Sequence, residues 1–138
     1  MTNSLKSKSL IKNRNRVKQV IDFTGLQNGK IHPSDIDAVF EFNNDVLILI
    51  EVKYRNSPIP LGQKMLLERI SSSWHTDKSI VLKVEHDFSD DSVNIPLEKC
   101  FVTASYTNKR WDYSKEGYPL IDYLNMIGEL WECKKCKF

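Results

Sequence analysis

Two runs of apolar, β-branched and aromatic residues in the first half of the chain predict a β-hairpin. The runs occupy 36–42 and 46–54, and Asn43-Asn44-Asp45 separates them. Asn and Asp tolerate the left-handed backbone conformation that tight turns between strands require. A turn over these three residues pairs Phe42 with Val46 and thereby sets the register of the hairpin.

The two faces of this hairpin differ in polarity. Even-numbered positions on both strands are apolar apart from the hydroxyl of Tyr54, so this face is expected to be buried. Leu47 and Leu49 lie on the odd-numbered face and indicate that a helix covers that face as well. The register places Asp37 opposite Glu51, with Cβ atoms about 5 Å apart. Carboxylates on a sheet that is covered on both faces are energetically costly, so we expect them to serve a function.

Helical and extended patterns flank the hairpin on both sides. The predicted elements are a helix over 5–21, a loop or short strand ending near Ile31, a helix over Gly62–Trp74, a strand over Ile80–Val84, a solvated loop over 85–94, a strand over Cys100–Tyr106 and a helix over Pro119–Glu132. The two later helices carry apolar stripes formed by Met65, Leu66, Ile70 and Trp74 and by Leu120, Leu124, Ile127 and Trp131. This order predicts an α/β fold with a mixed sheet flanked by helices, in a single domain over 1–138.

The composition agrees with one globular domain. The chain has 138 residues, of which 41% are hydrophobic and 28% are charged, and these values are close to globular averages. It contains no apolar run of the roughly 18 residues that a membrane span requires, and no secretory signal pattern. Three cysteines in such a chain are typical of a reducing compartment. We therefore expect a soluble cytoplasmic protein without a membrane partner.

The formal net charge of +2 conceals an uneven distribution. Residues 1–20 form a basic arm without any acid, and its bases are Lys6, Lys8, Lys12, Arg14, Arg16 and Lys18. Residues 21–138 hold 14 of the 20 bases against all 18 acids, a charge of −4. Such an arm favours nucleic-acid contact, because lysine and arginine displace counterions from phosphates. The candidate DNA-binding residues of the arm are Lys12, Arg14, Arg16 and Lys18. The alternative is a solubilising, partly frayed N-terminus.

A second candidate for nucleic-acid contact lies between the last predicted strand and the last predicted helix. Bases and aromatic residues alternate there, as Tyr106, Lys109, Arg110, Trp111 and Tyr113. This alternation is compatible with stacking of bases on the aromatic rings and with phosphate contact by Lys109 and Arg110. The alternative is a loop from strand to helix with partly buried aromatic residues.

The charged end of the hairpin has the composition of a metal-dependent hydrolytic site. Asp37 and Glu51 repel each other unless a cation lies between them or one of them is protonated. Oxygen ligands favour Mg²⁺ or Mn²⁺ over zinc. Lys53 lies two residues beyond Glu51 on the same face, opposite Asp35, and could position an attacking water or stabilise charge in the transition state. Metal, water and ammonium together are what phosphodiester hydrolysis requires.

This pattern resembles the signature of the PD-(D/E)XK nucleases. Asp37 is followed after thirteen residues by Glu51-Val52-Lys53, which matches the (D/E)XK half. Ser34-Asp35-Ile36-Asp37 supplies the weaker first half, without a proline immediately before either aspartate. The resemblance covers roughly residues 5–85 and implies the restriction-endonuclease-like αβββαβ core, as in the small members similar to Holliday-junction resolvases.

The resemblance also implies roles for individual residues. Asp37 and Glu51 would bind the metal, with the Val52 carbonyl as a third ligand, and Lys53 would be the catalytic lysine. Gln63, at the start of the next helix, lies where several members carry an active-site Gln or Lys. Its implied role is to orient the catalytic lysine or the water.

One departure from the family concerns the number of metal ions. Members often carry a glutamate on the first helix, whereas residues 1–21 hold no acid. This difference favours a single metal ion, or a further ligand from elsewhere such as Glu41 or Asp35.

The activity implied by the resemblance is that of a Mg²⁺- or Mn²⁺-dependent DNA endonuclease. DNA is the expected partner, and a homodimer would pair two active sites on a duplex or a junction. Selectivity for a junction, another branched structure or a specific duplex site stays open. The alternatives are a noncatalytic nucleic-acid-binding or assembly protein on the same scaffold, and a small interaction protein that binds no nucleic acid.

Cysteine and histidine residues offer weaker candidates. Cys133-Lys134-Lys135-Cys136 supplies two of the four ligands that a structural zinc ion needs, and Cys100 is a possible third. A disulfide or redox role for the same pair is the other option. His32 precedes the Asp-rich strand and could contact phosphate, although an ordinary loop histidine is the simpler reading.

Overall fold

The computed structural model describes residues 20–138, and the chain divides into two units, Met1–Ser34 and Asp35–Phe138. The helix predicted over 5–21 lies outside the described residues except for Val20 and Ile21, which are not helical. The short strand predicted to end near Ile31 is reduced to an isolated bridge between Asn28 and Ile31. A single domain over 1–138 stays a prediction.

The second unit is an α/β fold, as the sequence predicts. Its strands are β1 (Ala38–Phe42), β2 (Val46–Tyr54), β3 (Ser79–His86), β4 (Phe101–Thr107) and β5 (Arg110–Pro119), and its helices are α1 (Leu61–Ser72) and α2 (Leu120–Leu130). A short 3-10 helix over Leu97–Lys99 precedes β4. The restriction-endonuclease-like identity of this core is not established by the order of elements.

The five strands form one mixed sheet in the order β1-β2-β3-β4-β5. β2 and β3 are parallel, and every other neighbouring pair in this sheet is antiparallel. A parallel pair needs a crossover connection, and α1 lies in that connection. No helix within residues 20–138 has both the length and the apolar character that crossing a bilayer demands.

The predicted hairpin register is confirmed. Phe42 pairs with Val46 and Ala38 pairs with Ile50, across a turn over residues 43–45. Asn43 and Asn44 adopt φ angles of 54° and 56°, the left-handed conformation that the turn was expected to need. The turn closes with a hydrogen bond of 2.9 Å from the Asp45 N–H to the Phe42 carbonyl oxygen.

Helices cover the sheet on both faces, as predicted. Val46, Ile48 and Ile50 on the even-numbered face of β2 are fully buried in a core that contains residues of α2, whereas Val52 is partly buried and Tyr54, at the end of the strand, is exposed. The odd-numbered side chains Leu47 and Leu49 pack in a second core that includes Leu67 of α1. The polar residues that β2 carries on this second face therefore lie beneath a helix or at its edge.

The stripe predicted for α1 is confirmed in part, because Ile70 and Trp74 pack partly buried against the core that includes Leu67. Leu67 and Ser71 are the buried residues of α1, whereas Met65 is 37% exposed. Ser71 is buried because its hydroxyl forms a hydrogen bond of 2.7 Å with the hydroxyl of Ser79 on β3. A polar residue on the inner face of the helix hides the helical period from an analysis of apolar residues. The face predicted for α2 is confirmed, with Leu120, Leu124 and Ile127 buried.

Two segments expected to be loops belong to strands. β5 extends over Arg110–Pro119, where the sequence left a loop as one option, and it joins β4 through Asn108 and Lys109 with φ angles of 53° and 61°. β3 continues to His86, so Glu85 belongs to the sheet and not to a solvated loop. Charged residues alternate along both strands because one face of each is partly open to solvent. A segment rich in charge resembles a solvated loop, so these parts of the strands were not predicted.

Candidate functional site

Asp37 and Glu51 come together where β1 begins, beside the second half of β2. Glu51 lies on β2, an interior strand of the sheet, and is only 4% exposed, although it is a carboxylic acid. Asp37 directly precedes β1, and its Oδ2 accepts a hydrogen bond of 2.7 Å from the Val52 N–H. This bond fixes the Asp37 carboxyl group against the edge of β2 and beside Glu51, as the hairpin register predicts.

Burial and the neighbouring Asp37 strongly perturb the Glu51 carboxyl group. The pKa of Glu51 is raised from 4.5 to about 7, first by burial and then by hydrogen bonding to Asp37 and by the Asp37 charge. Lys53 and Gln63 act in the opposite direction and lower the pKa of Glu51, through charge and hydrogen bonding respectively. A buried acid with a neighbouring acid is typical of functional sites.

Lys53 and Gln63 complete the set that the sequence predicts. Lys53 is partly buried on β2, two residues beyond Glu51 and on the same face. Gln63 lies in the first turn of α1, and its Nε2 donates a hydrogen bond of 2.7 Å to the Asp35 carbonyl oxygen. The structure therefore brings Asp37, Glu51, Lys53 and Gln63 into one cluster, in which each of the other three acts on Glu51.

The Val52 carbonyl is oriented toward the same edge. In an extended strand the N–H and the C=O of one residue point to the same side, and the Val52 N–H points to Asp37. Its oxygen is thus available on the side where the two carboxyl groups meet.

Lys83 and Glu85 extend the cluster along the sheet, and the sequence analysis missed both. In the parallel pairing Glu51 neighbours Lys83 and Lys53 neighbours Glu85. Lys83 Nζ lies 2.8 Å from Glu85 Oε2, with both side chains about 15% exposed. Alternation of Val81, Lys83 and Glu85 at a period of two is the signal that would have placed these charges on the inner face.

Glu85 is well satisfied as a charged group. Burial alone would raise the pKa of Glu85, but hydrogen bonds from the Asn56 N–H, from Lys83 and from Thr103, together with the Lys83 charge, lower it. The Asn56 N–H and the Thr103 hydroxyl donate at 2.9 Å and 2.8 Å. Glu85 therefore serves as a fixed anion that anchors Lys83 beside Glu51.

The two further acids considered as metal ligands do not join the cluster as acids. Asp35 contributes its carbonyl oxygen to Gln63. Glu41 lies at the turn end of β1, where its carboxylate accepts a hydrogen bond from the Asn44 N–H. Glu41 is four residues from Asp37, which is about 13 Å along a strand. The expectation that it supplies a ligand is therefore wrong.

Of the predicted basic residues, the two that the structure describes, Lys109 and Arg110, are not brought to this cluster. Lys12, Arg14, Arg16 and Lys18 lie outside the described residues. Lys109 lies in the β4–β5 turn and Arg110 begins β5, where Arg110 Nη2 lies 3.7 Å from Asp112 Oδ1. Thr107, at the same end of the sheet, donates a hydrogen bond to the carbonyl of Ser79, which is paired with Leu47. Lys109 and Arg110 therefore lie at the end of the sheet where β2 begins, whereas Glu51 lies in the second half of β2.

The cysteine and histidine candidates gain no support. Within residues 20–138 no three His, Cys, Asp or Glu side chains are grouped to share a metal ion, so Cys100, Cys133 and Cys136 form no such site. All three thiols are free, and Cys100 and Cys136 are buried. His32 is exposed, and its Nδ1 lies 3.0 Å from the Pro33 carbonyl oxygen.

The arrangement as a whole is a pair of carboxyl groups with a lysine and an amide, on the inner face of a mixed sheet. Comparison of the chain with protein-family models, with curated proteins and with solved structures finds no match. The resemblance to the PD-(D/E)XK nucleases therefore stays a prediction that depends on the residues of this cluster.

Proposed function

We propose that this protein is a divalent-metal-dependent endonuclease that hydrolyses phosphodiester bonds in DNA. The observation that carries the proposal is the buried Glu51 carboxyl group beside Asp37, with its pKa raised to about 7. Burial, a hydrogen bond to Asp37 and repulsion between the two carboxyl groups raise the pKa of Glu51, and such perturbed groups cluster at functional sites. A divalent cation between the two groups relieves this repulsion directly.

The donors at the site fit a hard cation. They are the carboxyl groups of Asp37 and Glu51 and the carbonyl of Val52, all of them oxygen atoms. Mg²⁺ and Mn²⁺ prefer such ligands, and Mg²⁺ in particular is held by one or two carboxylates together with water and substrate phosphates. When bound there, the ion would polarise the scissile phosphate and lower the pKa of a water molecule.

The other two residues act on the reacting groups. Lys53 presents an ammonium group on the face of Glu51, where it stabilises negative charge that develops on the phosphate oxygens during hydrolysis. Gln63 is anchored by its hydrogen bond to the Asp35 carbonyl oxygen, so its side chain holds a fixed position beside Glu51. Its proposed role is to position Lys53 or the attacking water.

A nicking assay on supercoiled and branched DNA, with Mg²⁺ or with EDTA, tests the proposal. We expect cleavage only with Mg²⁺, and at least about a hundredfold loss in a Glu51→Ala, Lys53→Ala double variant, because charge stabilisation of this kind contributes that much to a rate. Glu129→Ala with Lys137→Ala is the matched control, since both residues are exposed and Glu129 lies on the helix of the opposite face. Equal rates in the two double variants would overturn the mechanism.

One observation favours a second candidate, a noncatalytic nucleic-acid-binding protein on the same scaffold. Within residues 20–138 no third His, Cys, Asp or Glu joins Asp37 and Glu51. Calorimetric titration with Mn²⁺ separates the two candidates. The nuclease requires uptake that Asp37→Asn abolishes and the exposed-site control Asp112→Asn retains, whereas the binder requires no such uptake.

A further inference from the structure

A row of side chains connects the carboxylate cluster to the far edge of the sheet. Glu51 pairs with Lys83, Lys83 with Ala104, and Ala104 with Tyr113 on the edge strand β5. Three strand spacings separate the ends of this row, a distance of about 14 Å. The row lies on the face of the sheet that α1 covers, so the side chains of Tyr113 and Glu51 lie on the same face.

Tyr113 is the outermost of three neighbouring aromatic rings, and a residue of α1 holds the middle ring. The Tyr106 and Trp111 rings lie 5.4 Å apart, and the Trp111 and Tyr113 rings lie 6.2 Å apart at an interplanar angle of 25°. Trp111 is fixed by a hydrogen bond of 2.6 Å from its Nε1 to Glu68 on α1. Tyr113 ends the stack and is 69% exposed, so a large ring stacked on Trp111 is accessible at the surface.

A lysine side chain lies beside the Trp111 and Tyr113 rings. Lys64 of α1 places its Nζ 5.2 Å from the centre of the Trp111 ring and 3.5 Å from the Tyr113 hydroxyl. We refer to Trp111, Tyr113 and Lys64 as the aromatic strip. Glu68 accepts the hydrogen bond from Trp111, and the Glu85 carboxylate is paired with Lys83.

Two clefts flank Tyr113 and lead from the strip toward the cluster. One has a volume of about 130 Å³ and lies against Pro58, Lys64 and Trp111. The other has a volume of about 160 Å³ and contains Lys115. Lys83 and Ala104 line both clefts, so both reach the row that ends at Glu51.

A bulge in β5 places Lys115 in the second cleft. Ala104 pairs with Tyr113 but Val102 pairs with Tyr118, so residues 114–117 lie opposite a single residue of β4. Gly117 makes this possible with a φ of 74°, and a Cβ there would lie 3.0 Å from the Phe101 Cβ. Bulges of this kind re-aim side chains beside active sites.

From this geometry we infer that the aromatic strip binds an unpaired strand of DNA that leads into the carboxylate cluster. The faces of bases are accessible only where they are not stacked within a duplex, and exposed aromatic rings bind those faces without regard to sequence. Lys64 and Lys115 supply the charge that a phosphate backbone requires. The distance from Tyr113 to Glu51 matches about four nucleotides at the roughly 3.4 Å spacing of a stacked strand. The inference rests on the proposed function for cleavage, but binding by the strip does not depend on it.

Fluorescence anisotropy with EDTA present tests the strip separately from catalysis. The probes are a labelled oligothymidylate, a duplex with a single-stranded arm, and the same duplex with blunt ends. We expect the first two to bind more tightly than the blunt duplex, and Tyr113→Ala to weaken their binding at least about fivefold, the effect of losing one stacked base. Tyr113→Phe keeps the ring and should bind as the wild type does.

Tyr118→Ala is the matched control, because Tyr118 is also an exposed tyrosine of β5 but contacts Tyr123 of α2. Equal binding of the single-stranded probes by Tyr113→Ala and Tyr118→Ala would overturn the inference, as would tighter binding of the blunt duplex. If strand binding depends on Tyr113 but no DNA is cleaved with Mg²⁺, the strip is supported and the nuclease proposal fails. If cleavage occurs without any effect of Tyr113, the nuclease is supported and the strip fails.

Discussion

At the scale of single residues, Glu51 is the position where chemistry and stability conflict. Its neighbours along the same face of β2 are Leu47 and Leu49, and a leucine at Glu51 would suit the packing at that point better than an acid does. The chain instead places Asp37 beside it and fixes that residue through the Val52 N–H. The cost of this arrangement should be measurable in the metal-free protein.

The first prediction concerns the pH dependence of stability. The pKa of Glu51 is about 7 in the folded chain and 4.5 when unperturbed, so between these values the folded chain holds a proton that the unfolded chain has lost. Stability therefore falls as the pH rises through this window, by at most about 3 kcal/mol. Glu51→Gln cannot ionise, and at about pH 8 it should be more stable than the wild type by about 1–3 kcal/mol. Urea unfolding in EDTA at several pH values measures the difference.

The control for this prediction is Glu129→Gln, because Glu129 is exposed on α2. It should leave the slope of stability against pH unchanged. Mg²⁺ added at about pH 8 should stabilise the wild type and not Glu51→Gln, since a bound cation stabilises only the state that binds it. A wild-type stability that stays constant or rises across the window would contradict the prediction.

The second prediction concerns the ion pair of Lys83 and Glu85. Lys83→Met leaves the Glu85 carboxylate largely buried without its cation, which should lower the free energy of unfolding by about 1–3 kcal/mol at neutral pH. Because the pKa of Glu85 is lowered in the folded state, its favourable contribution is lost as the pH falls, so the difference between variant and wild type should shrink in acid. Thermal or urea unfolding at both pH values checks this expectation.

A double variant, Lys83→Met with Glu85→Gln, removes both charges and keeps an acceptor for the Asn56 N–H and the Thr103 hydroxyl. Removal of both partners is expected to recover much of the lost stability, because no buried charge is left uncompensated. If the double variant is less stable than Lys83→Met alone, the loss does not arise from an unpaired Glu85.

At the scale of elements, the sequence predicts local structure well where a single residue type determines the backbone conformation. The turn at Asn43 and Asn44 fixes the register of β1 and β2, and that register alone brings Asp37 to Glu51. The inner face of α1 was predicted only in part: Ile70 and Trp74 pack there as expected, whereas the burial of Ser71 accompanies a hydrogen bond to Ser79 on another element. Lys83 and Glu85 were missed for another reason: they pair two positions apart on β3, but the acidic segment from residue 85 was read as a solvated loop.

The third prediction concerns the packing of α2 against the end of the chain. A Cβ at Gly128 would lie 2.1 Å from the Cys136 carbonyl oxygen, so Gly128→Ala must displace the segment after α2 and should cost about 1–3 kcal/mol. Gly62→Ala in α1 is the matched control, because no atom lies within 4 Å of its added Cβ. The higher helix propensity of alanine should leave that variant neutral or up to about 1 kcal/mol more stable.

Urea unfolding of the two glycine variants gives the comparison directly. Equal stability of Gly128→Ala and Gly62→Ala would mean that residues 131–138 do not pack on α2 as described. Loss of the hydrogen bond from the Cys133 N–H to the Gly128 carbonyl oxygen would accompany the expected displacement, and faster amide exchange at Cys133 would report it.

At the scale of the whole molecule, charge is divided between two parts of the chain. The arm over 1–20 holds six bases and no acid, whereas residues 21–138 carry a charge of −4. A body of net negative charge repels DNA at long range, so binding at the cluster and at the aromatic strip needs a source of attraction elsewhere. The arm is the part of the chain whose composition supplies it.

The last prediction assigns the salt dependence of DNA binding to this arm. Replacement of Lys12, Arg14, Arg16 and Lys18 by glutamine in the full chain should reduce the slope of log affinity against log salt by up to about 3, since each phosphate contact on single-stranded DNA contributes about 0.7. The comparison uses a labelled single-stranded probe in EDTA over a range of salt concentrations. Lys134→Gln with Lys137→Gln is the control, because these bases are exposed near α2 on the face opposite the strip, and the slope there should not change. An unchanged slope in the arm variant would mean that the body binds DNA against its own net charge, which would require that Lys64, Lys115 and Lys53 dominate the local field.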